Sequence, residues 1–371
     1  MAVTIGVDIG GTKVLAAEVL PDGTVGKVAR RSTPGRSVPV TVVEDALTEA
    51  VQEVAGIRRI DAVGLAAAGF VDAAGERVMF APHLPWRLDP ARERLENRWG
   101  VPVALDNDAN CAARAEFSYG AARGHTDVVM VNLGTGIGGG IILGGTLMRG
   151  HNGMAGEFGH MQVVPGGQQC ECGRTGCWEQ YCSGNALVRY VRNHWDERAG
   201  LLRELAGHDG ERLKGPMITE AAQRGDDLAL AAFGEIGRWL GVGLANLTAA
   251  FDPELLVVGG GVSAAGDLLL DPAREAFTNS LVGAGHRDVP DVIKARFLND
   301  AGVIGAADMA RTEAVRPIFR RRRGELVKRA RRRERLRRFL APLEPTEAPE
   351  ATGRVRPARR RPTGRRGPSA W

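Results

Sequence analysis

The sequence predicts an α/β protein with two lobes that face each other across a ligand cleft. Its 371 residues are more than one compact core usually organises. Residues 3–20 contain an apolar strand, a Gly/Thr turn and a returning apolar strand, and residues 127–143 repeat that arrangement. Two matching hairpins, one in each half, are expected of a duplicated nucleotide-binding fold in which each hairpin grips phosphate from its own side.

Apolar periodicity predicts the remaining elements. Further strands are expected over 60–66, 101–105, 254–258 and 292–296. Helices are expected over about 40–55, 90–99, 184–195, 219–250 and 302–311, with another that starts near Asp108. Loops are predicted at 67–72 and 81–87, and a polar insertion at 196–215.

The charge is divided unevenly along the chain. Residues 314–371 hold 20 of the 49 basic residues and 5 of the 44 acidic ones, a net charge of +15. The remaining 29 basic and 39 acidic residues give segment 1–313 a net charge of −10. The basic segment is expected to be a disordered, solvated tail, with binding to nucleic acid, an anionic membrane or polyphosphate as alternatives.

Cysteine usage indicates the compartment. Three of the five cysteines lie within 170–177, which suits a metal site in a reducing cytoplasm better than a disulfide framework. The first residues show neither the basic segment nor the long apolar segment that is typical of a signal peptide. No apolar run is expected to be long enough to span a bilayer. We therefore expect a cytoplasmic protein.

The first hairpin has the composition of a phosphate-binding turn. Gly10 and Gly11 would let backbone N–H groups approach a phosphate closely, and Asp8 at the strand end could hold Mg²⁺. The strand–turn–strand order and the spacing disfavour a Walker-type P-loop. An ordinary tight hairpin explains the same residues, and the glycines at 259–261 are likewise either a turn or a surface for adenine and ribose.

A polar cluster follows the strand at 101–105. Asp106, Asn107 and Asp108 stand where a strand passes into a helix, so they could simply cap that helix. They also supply a carboxylate general base beside an amide that can orient a hydroxyl. The residues alone leave both interpretations open.

Four residues have the spacing of a metal site. His160, Cys170, Cys172 and Cys177 match a four-coordinate Cys₃His zinc site with tight glycine-bearing turns. Four protein ligands leave no open position, so the predicted Zn²⁺ is structural. Cys111 and Cys182 are left outside the site.

Together these motifs resemble the ROK family of bacterial sugar kinases, most closely its actinobacterial ATP-dependent glucokinases. The resemblance covers residue 3 to about 312 and rests on four motifs: Asp8–Lys13, Leu133–Gly140 through Gly156–His160, Cys170–Glu179, and Gly259–Val262. It implies a two-lobed actin-like ATPase (ribonuclease H-like) fold with a cleft between the lobes. The smaller lobe would be 1–120, completed by a helix near 302–312, and the larger lobe 121–301.

The resemblance also implies an activity and a site. It implies phosphorylation of glucose at the 6-hydroxyl by ATP with Mg²⁺, in a homodimer or homotetramer, with Asp108 as general base. The residues implied to bind sugar are Asn107, Glu157, His160, Glu179 and Gly69. Those implied to bind nucleotide are Asp8, Gly10, Gly11, Thr12, Lys13, Gly134, Thr135, Gly136, Gly259, Gly260 and Gly261.

Alternatives of other classes remain. Another hexose, such as N-acetylmannosamine, N-acetylglucosamine or fructose, could be the acceptor, and polyphosphate could be the donor. A sugar-responsive ROK regulator is less favoured, because the chain starts in the first strand without a helix-turn-helix. The sequence departs from the family pattern at His83, where relatives often carry asparagine, and at Asp106, where glutamate is frequent.

Overall fold

The computed structural model describes residues 2–195, 200–207 and 210–314. The chain divides into two units, Met1–Val315 and Arg316–Trp371, and the first contains all the described elements. Apart from Ala314, the predicted basic tail lies outside the described residues, as do parts of the predicted insertion at 196–215.

The described chain contains both strands and helices. The strands are β1 (Val3–Ile9), β2 (Lys13–Val19), β3 (Val25–Ser32), β4 (Ile60–Ala67), β5 (Phe70–Val71), β6 (Val78–Phe80), β7 (Arg87–Asp89), β8 (Val103–Asn107), β9 (Val128–Leu133), β10 (Ile137–Leu143), β11 (Thr146–Leu147), β12 (Leu255–Gly259) and β13 (Asp291–Lys294). The helices are α1 (Val40–Ala55), α2 (Ala91–Trp99), α3 (Asp108–Tyr119), α4 (Gly184–Asn193), α5 (Gly200–Ala206), α6 (Gly215–Gln223), α7 (Asp227–Phe251), α8 (Asp267–Ser280) and α9 (Ala301–Ala314).

Two five-stranded sheets share one pattern. The first has the order β3-β2-β1-β4-β8 and the second β11-β10-β9-β12-β13. In the first sheet β1 pairs antiparallel with β2 and parallel with β4; in the second, β9 pairs antiparallel with β10 and parallel with β12. The repeat predicted from the two glycine hairpins is therefore a repeat of whole sheets. A third sheet, β5-β6-β7, is small.

Helix α9 returns the chain to the first sheet. It packs against β1, β4 and β8 and against α3. Two strand glycines permit the close approach, because a side chain at Gly6 or Gly64 would collide with the carbonyl of Val303 or Ala306. The end of the described chain is thus fixed to its beginning.

Helix α7 forms the core beside the second sheet. It packs along α8, and Phe233, Leu240 and Leu244 are buried in that core. By length and composition α7 could cross a membrane, so the expectation that no apolar run is long enough was too strict. Since 61% of its apolar window is buried within the protein, α7 is explained as a core helix.

Several predicted boundaries were wrong for local reasons. The expected loop at 67–72 contains strand β5, and the expected polar insertion contains α5, which buries Leu202 and Ala206 in the core. The helix expected over 219–250 is two helices. The first ends at Gln223, before Gly225 with φ +86°. Asp226 then caps α7 by accepting a hydrogen bond from the backbone N–H of Ala229 (2.9 Å).

Candidate active site

The second glycine-rich turn is shorter than the sequence indicated. Only Gly134–Gly136 form the turn, because β10 already begins at Ile137. A side chain at Gly138 or Gly140 would press on α3, and one at Gly139 would meet the ring of Phe158. Gly138, Gly139 and Gly140 therefore lie on β10, where the lack of side chains lets α3 and the ring of Phe158 pack against the strand.

The first turn is closed tightly. The N–H of Gly10 donates to the carbonyl of Lys13 (3.0 Å), and Gly11 lies against the ring of His83, which comes from the loop at 81–86. Asp8, the penultimate residue of β1, lies beside Gly302 in the first turn of α9. Burial, together with the nearby charge of Asp108, raises the pKa of Asp8 to about 7.

The Asp-Asn-Asp cluster caps α3, which is one of the two interpretations that its sequence allows. The Oδ1 of Asn107 accepts hydrogen bonds from the backbone N–H groups of Ala109 (2.8 Å) and Asn110 (3.2 Å), so Asn107 caps α3. Its Nδ2 donates to the carbonyl of Gly69 (3.0 Å), which ties the cap to the loop after β4. Asp108 accepts a hydrogen bond from the backbone N–H of Ala109 (2.9 Å), and burial raises its pKa.

Asp108 interacts electrostatically with two other carboxylates. Its charge acts on Asp8 of β1 and on Glu157, in the loop after β11. Burial first, then the charges of Asp108 and Glu179, raise the pKa of Glu157 to about 7. A buried cluster of acids favours ligands that bring hydroxyl donors or cations, since like charges cannot all remain ionised there without compensation.

This cluster predicts how stability depends on pH. The pKa values of Asp8 and Glu157, both about 7, lie above the ordinary 3.8 and 4.5. The folded state therefore retains protons that the unfolded chain has released, and their contribution to stability is lost as the pH rises through 7. We expect the melting temperature of ligand-free Glu157→Gln to fall less between pH 6 and 8 than that of wild type. Parallel pH profiles in differential scanning calorimetry would contradict the assignment.

Glu179 joins two parts of the site. Its Oε1 accepts from the Cys170 thiol (3.1 Å) and lies 3.6 Å from Nδ1 of His160. Its Oε2 faces Gly136, where a side chain would displace it. The segment is anchored by the adjacent, fully buried Trp178, whose indole N–H donates to the carbonyl of Trp239 on α7 (2.9 Å).

The four predicted metal ligands come together. The donor atoms of His160, Cys170, Cys172 and Cys177 all lie within 4.8 Å of one another. The Cys172 and Cys177 sulfurs are 3.5 Å apart, and Nδ1 of His160 lies 3.8 Å from the Cys170 sulfur. Tetrahedral zinc with Zn–S bonds of about 2.3 Å separates its sulfurs by about 3.8 Å, so this donor set fits structural Zn²⁺. Cys111 and Cys182 are buried elsewhere.

The third glycine segment lies beside the second turn. A side chain at Gly260, which has φ +79°, would collide with the carbonyl of Leu133, the residue before the turn. Gly184 donates from its backbone N–H to the carbonyl of Gly134 (2.8 Å) and approaches Val262. The turn at 134–136 and the segment at 259–262 therefore form one continuous surface.

Sequence reasoning missed two features of the site. His83, noted in the sequence only as a departure from the family pattern, lies against Gly11 of the first turn. Arg149, from the loop that leads to Glu157, donates from Nε to the buried Asp106 (2.6 Å). The 43 residues between Arg149 and Asp106 leave no local signal for that pairing.

Comparisons with known proteins identify the family of the chain. The model of the ROK family matches residues 4–313. The chain is 46% identical over 314 residues to a glucokinase of Streptomyces coelicolor, with 84% of this chain and 98% of that protein covered. It is 30% identical over 234 residues to a xylose repressor of Caldicellulosiruptor bescii, with 63% of this chain and 58% of the repressor covered.

A solved structure shows the same architecture. A ROK family glucokinase from Streptomyces griseus, in complex with glucose and AMPPNP, is 45% identical and matches with a TM-score of 0.77. That match covers 84% of this chain and 100% of the other. The predicted fold class, a two-lobed actin-like ATPase fold, is confirmed. By its sequence, its repeated sheets and this match, the chain belongs to the ROK family.

Proposed function

We propose that this protein is a glucokinase that transfers the γ-phosphoryl group of ATP to the 6-hydroxyl of glucose. The observation that carries the proposal is the position of Asp108 at the start of α3, where its charge acts on Asp8 of β1 and on Glu157 in the loop after β11. The likeness to a glucokinase over 98% of that protein's length supports the choice of reaction and sugar.

In the proposed mechanism Asp108 is the general base. It accepts the proton of the 6-hydroxyl as that oxygen bonds to the γ-phosphorus and ADP leaves with the electrons of the broken P–O bond. The raised pKa of Asp108 strengthens it as a base. The carboxylate of Asp108 is held at the start of α3 by its hydrogen bond from the backbone N–H of Ala109. The side chain is therefore positioned before the sugar binds. Alignment of this kind supplies most of the catalysis in phosphoryl transfer.

The sugar is proposed to lie among polar groups of both sheets. Asn107, Glu157, His160 and Glu179 would hydrogen-bond its hydroxyls, and Gly69 would hold Asn107 in place through the 3.0 Å hydrogen bond. Zinc on His160 and the three cysteines would fix the loop that presents Glu157, His160 and Glu179. Because Nδ1 of His160 faces the cysteines, Nε2 remains for the sugar.

The nucleotide is proposed to bind along the glycine turns. Residues 10–13 and 134–136 would hold the phosphates, and 259–261 would receive the adenosine, because that segment is continuous with the second turn. Asp8 would hold Mg²⁺, which supplies charge neutralisation for the transferred group.

The proposal also includes the boundaries of the two lobes, the cellular compartment and the oligomeric state. Residues 1–120 with 302–312 would form the smaller lobe, since α9 packs on the first sheet, and 121–301 the larger one. We place the enzyme in the cytoplasm as a homodimer or homotetramer. The tail from residue 314 would be a separate basic segment.

A hexose panel tests the proposed function. ADP release, coupled to pyruvate kinase and lactate dehydrogenase, should be fastest with glucose and ATP and slower with fructose, N-acetylglucosamine and N-acetylmannosamine. Polyphosphate in place of ATP, with glucose 6-phosphate formation as the readout, should support little turnover. If no sugar were phosphorylated, the proposal of a sugar kinase would be refuted. If another hexose were preferred, only the identity of the sugar would change, and the proposed function of Asp108 as general base would stand.

A further inference from the structure

Asp106 fixes the junction that carries the proposed base. It is only 2% exposed at the end of β8. Its Oδ1 accepts hydrogen bonds from the backbone N–H of Asn107 (2.8 Å) and from Nδ2 of Asn110 (2.8 Å). This one carboxylate therefore helps to hold the backbone of the segment that carries Asn107 and Asp108 in place.

The other oxygen of Asp106 is bound from the second sheet. Nε of Arg149 donates to Oδ2 at 2.6 Å, and Arg149 lies two residues after β11. Since β8 and β11 are edge strands of the two different sheets, this ion pair connects them. A carboxylate as buried as Asp106 depends on such a partner, because a lone buried charge is costly.

The same loop makes a second contact with the first half of the chain. Its base is closed by the hydrogen bond from the N–H of Ala155 to the carbonyl of Arg149 (3.1 Å). Its tip, at Gly153, lies so close to the turn after β5 that a side chain there would collide with the carbonyl of Val71. The loop then continues into Gly156 and Glu157, so its position determines where Glu157 stands.

We propose that Arg149 is a positioning residue for phosphoryl transfer. By holding Asp106 it locks the loop at 149–157 to the β8–α3 junction, and so fixes the distance between Glu157 and Asp108. Arg149 touches neither sugar nor nucleotide in this account. The inference rests on the proposed function, because the distance matters only if both carboxylates bind one sugar.

The test is a double-mutant cycle on glucose phosphorylation. Arg149→Gln and Asp106→Asn should each lower kcat/KM for glucose by about 10- to 100-fold, since misplacement by about 1 Å can have such an effect. KM for ATP should change by less than about twofold, because the nucleotide turns are untouched. The double variant should be no more impaired than the worse single variant, as expected for two residues that act through one contact.

Conservative and matched variants separate positioning from folding. Asp106→Glu keeps the charge and should retain activity within about fivefold, while Arg224→Gln, which removes only a surface pair with Glu220 (3.4 Å), should match wild type. The double variant leaves no unpaired buried charge and so remains measurable if a single variant fails to fold. Isothermal titration calorimetry without nucleotide measures the affinity for glucose directly. In Arg149→Gln and Asp106→Asn this affinity should weaken in parallel with any rise in KM for glucose.

Two results would overturn the inference. One is additive losses in the cycle, and the other is a lower melting temperature with unchanged kinetic constants in the folded fraction. If the wild-type protein phosphorylated no sugar, the proposed function itself would be refuted. Failure of the proposed function is therefore distinguishable from failure of the inference about Arg149.

Discussion

Asp108→Asn is expected to lower kcat with glucose and ATP by about 10²- to 10⁴-fold, the usual contribution of a positioned general base. The amide keeps the size of the side chain and can still face the sugar, but it cannot accept the proton of the 6-hydroxyl. KM for glucose should therefore change by only a few-fold. Steady-state kinetics with the coupled ADP assay measure both constants.

The matched control for that change is Asp267→Asn. Asp267 is an exposed carboxylate at the start of α8 that pairs with Arg274 (3.1 Å), away from the proposed site. This variant should keep wild-type kcat and KM. If Asp108→Asn retained a tenth or more of the wild-type kcat, proton transfer to Asp108 could not be the main source of catalysis.

Cys172→Ser is expected to release the metal and to impair both stability and sugar binding. A structural zinc contributes folding free energy directly, and its loss would free the loop that carries Glu157 and Glu179. We expect a melting temperature lower by at least about 5 °C, which corresponds to about 3 kcal/mol in a domain of this size. KM for glucose should rise more than KM for ATP.

Metal content decides how that result is interpreted. Atomic emission spectroscopy should find about one zinc per wild-type chain and far less in Cys172→Ser. Cys182→Ala serves as the control, because Cys182 is buried outside the cluster and should leave the zinc in place. Wild-type protein that is fully active and free of zinc would contradict the structural function given to the metal.

Local patterns were sufficient to predict the parts of the site that are close in sequence. The cap at Asn107 and the carboxylate at Asp108 follow from a strand that passes directly into a helix. The zinc ligands were predictable because three of the four fall within 170–177, and tight turns bring them together. Both hairpins were visible because strand, turn and returning strand are consecutive.

What the sequence could not show depends on tertiary packing. Strand β3 was missed because its outer face is polar and arginine-rich, and α8 because Pro272 interrupts its helical pattern. The packing of Gly138 and Gly140 against Ala109 and Ala113 of α3 could not be inferred from a glycine run, since those partners lie far back in the sequence. The pairing of Arg149 with Asp106 is hidden for the same reason.

The central claim is that Asp108 activates the 6-hydroxyl of glucose towards ATP. The most direct measurement follows formation of glucose 6-phosphate by NADP⁺ reduction with glucose-6-phosphate dehydrogenase, for wild type and Asp108→Asn side by side. Wild type is expected to form one glucose 6-phosphate for each ADP, and Asp108→Asn is expected to form almost no glucose 6-phosphate over the same time. Equal rates for the two proteins, or ADP release by wild type without glucose 6-phosphate, would contradict it.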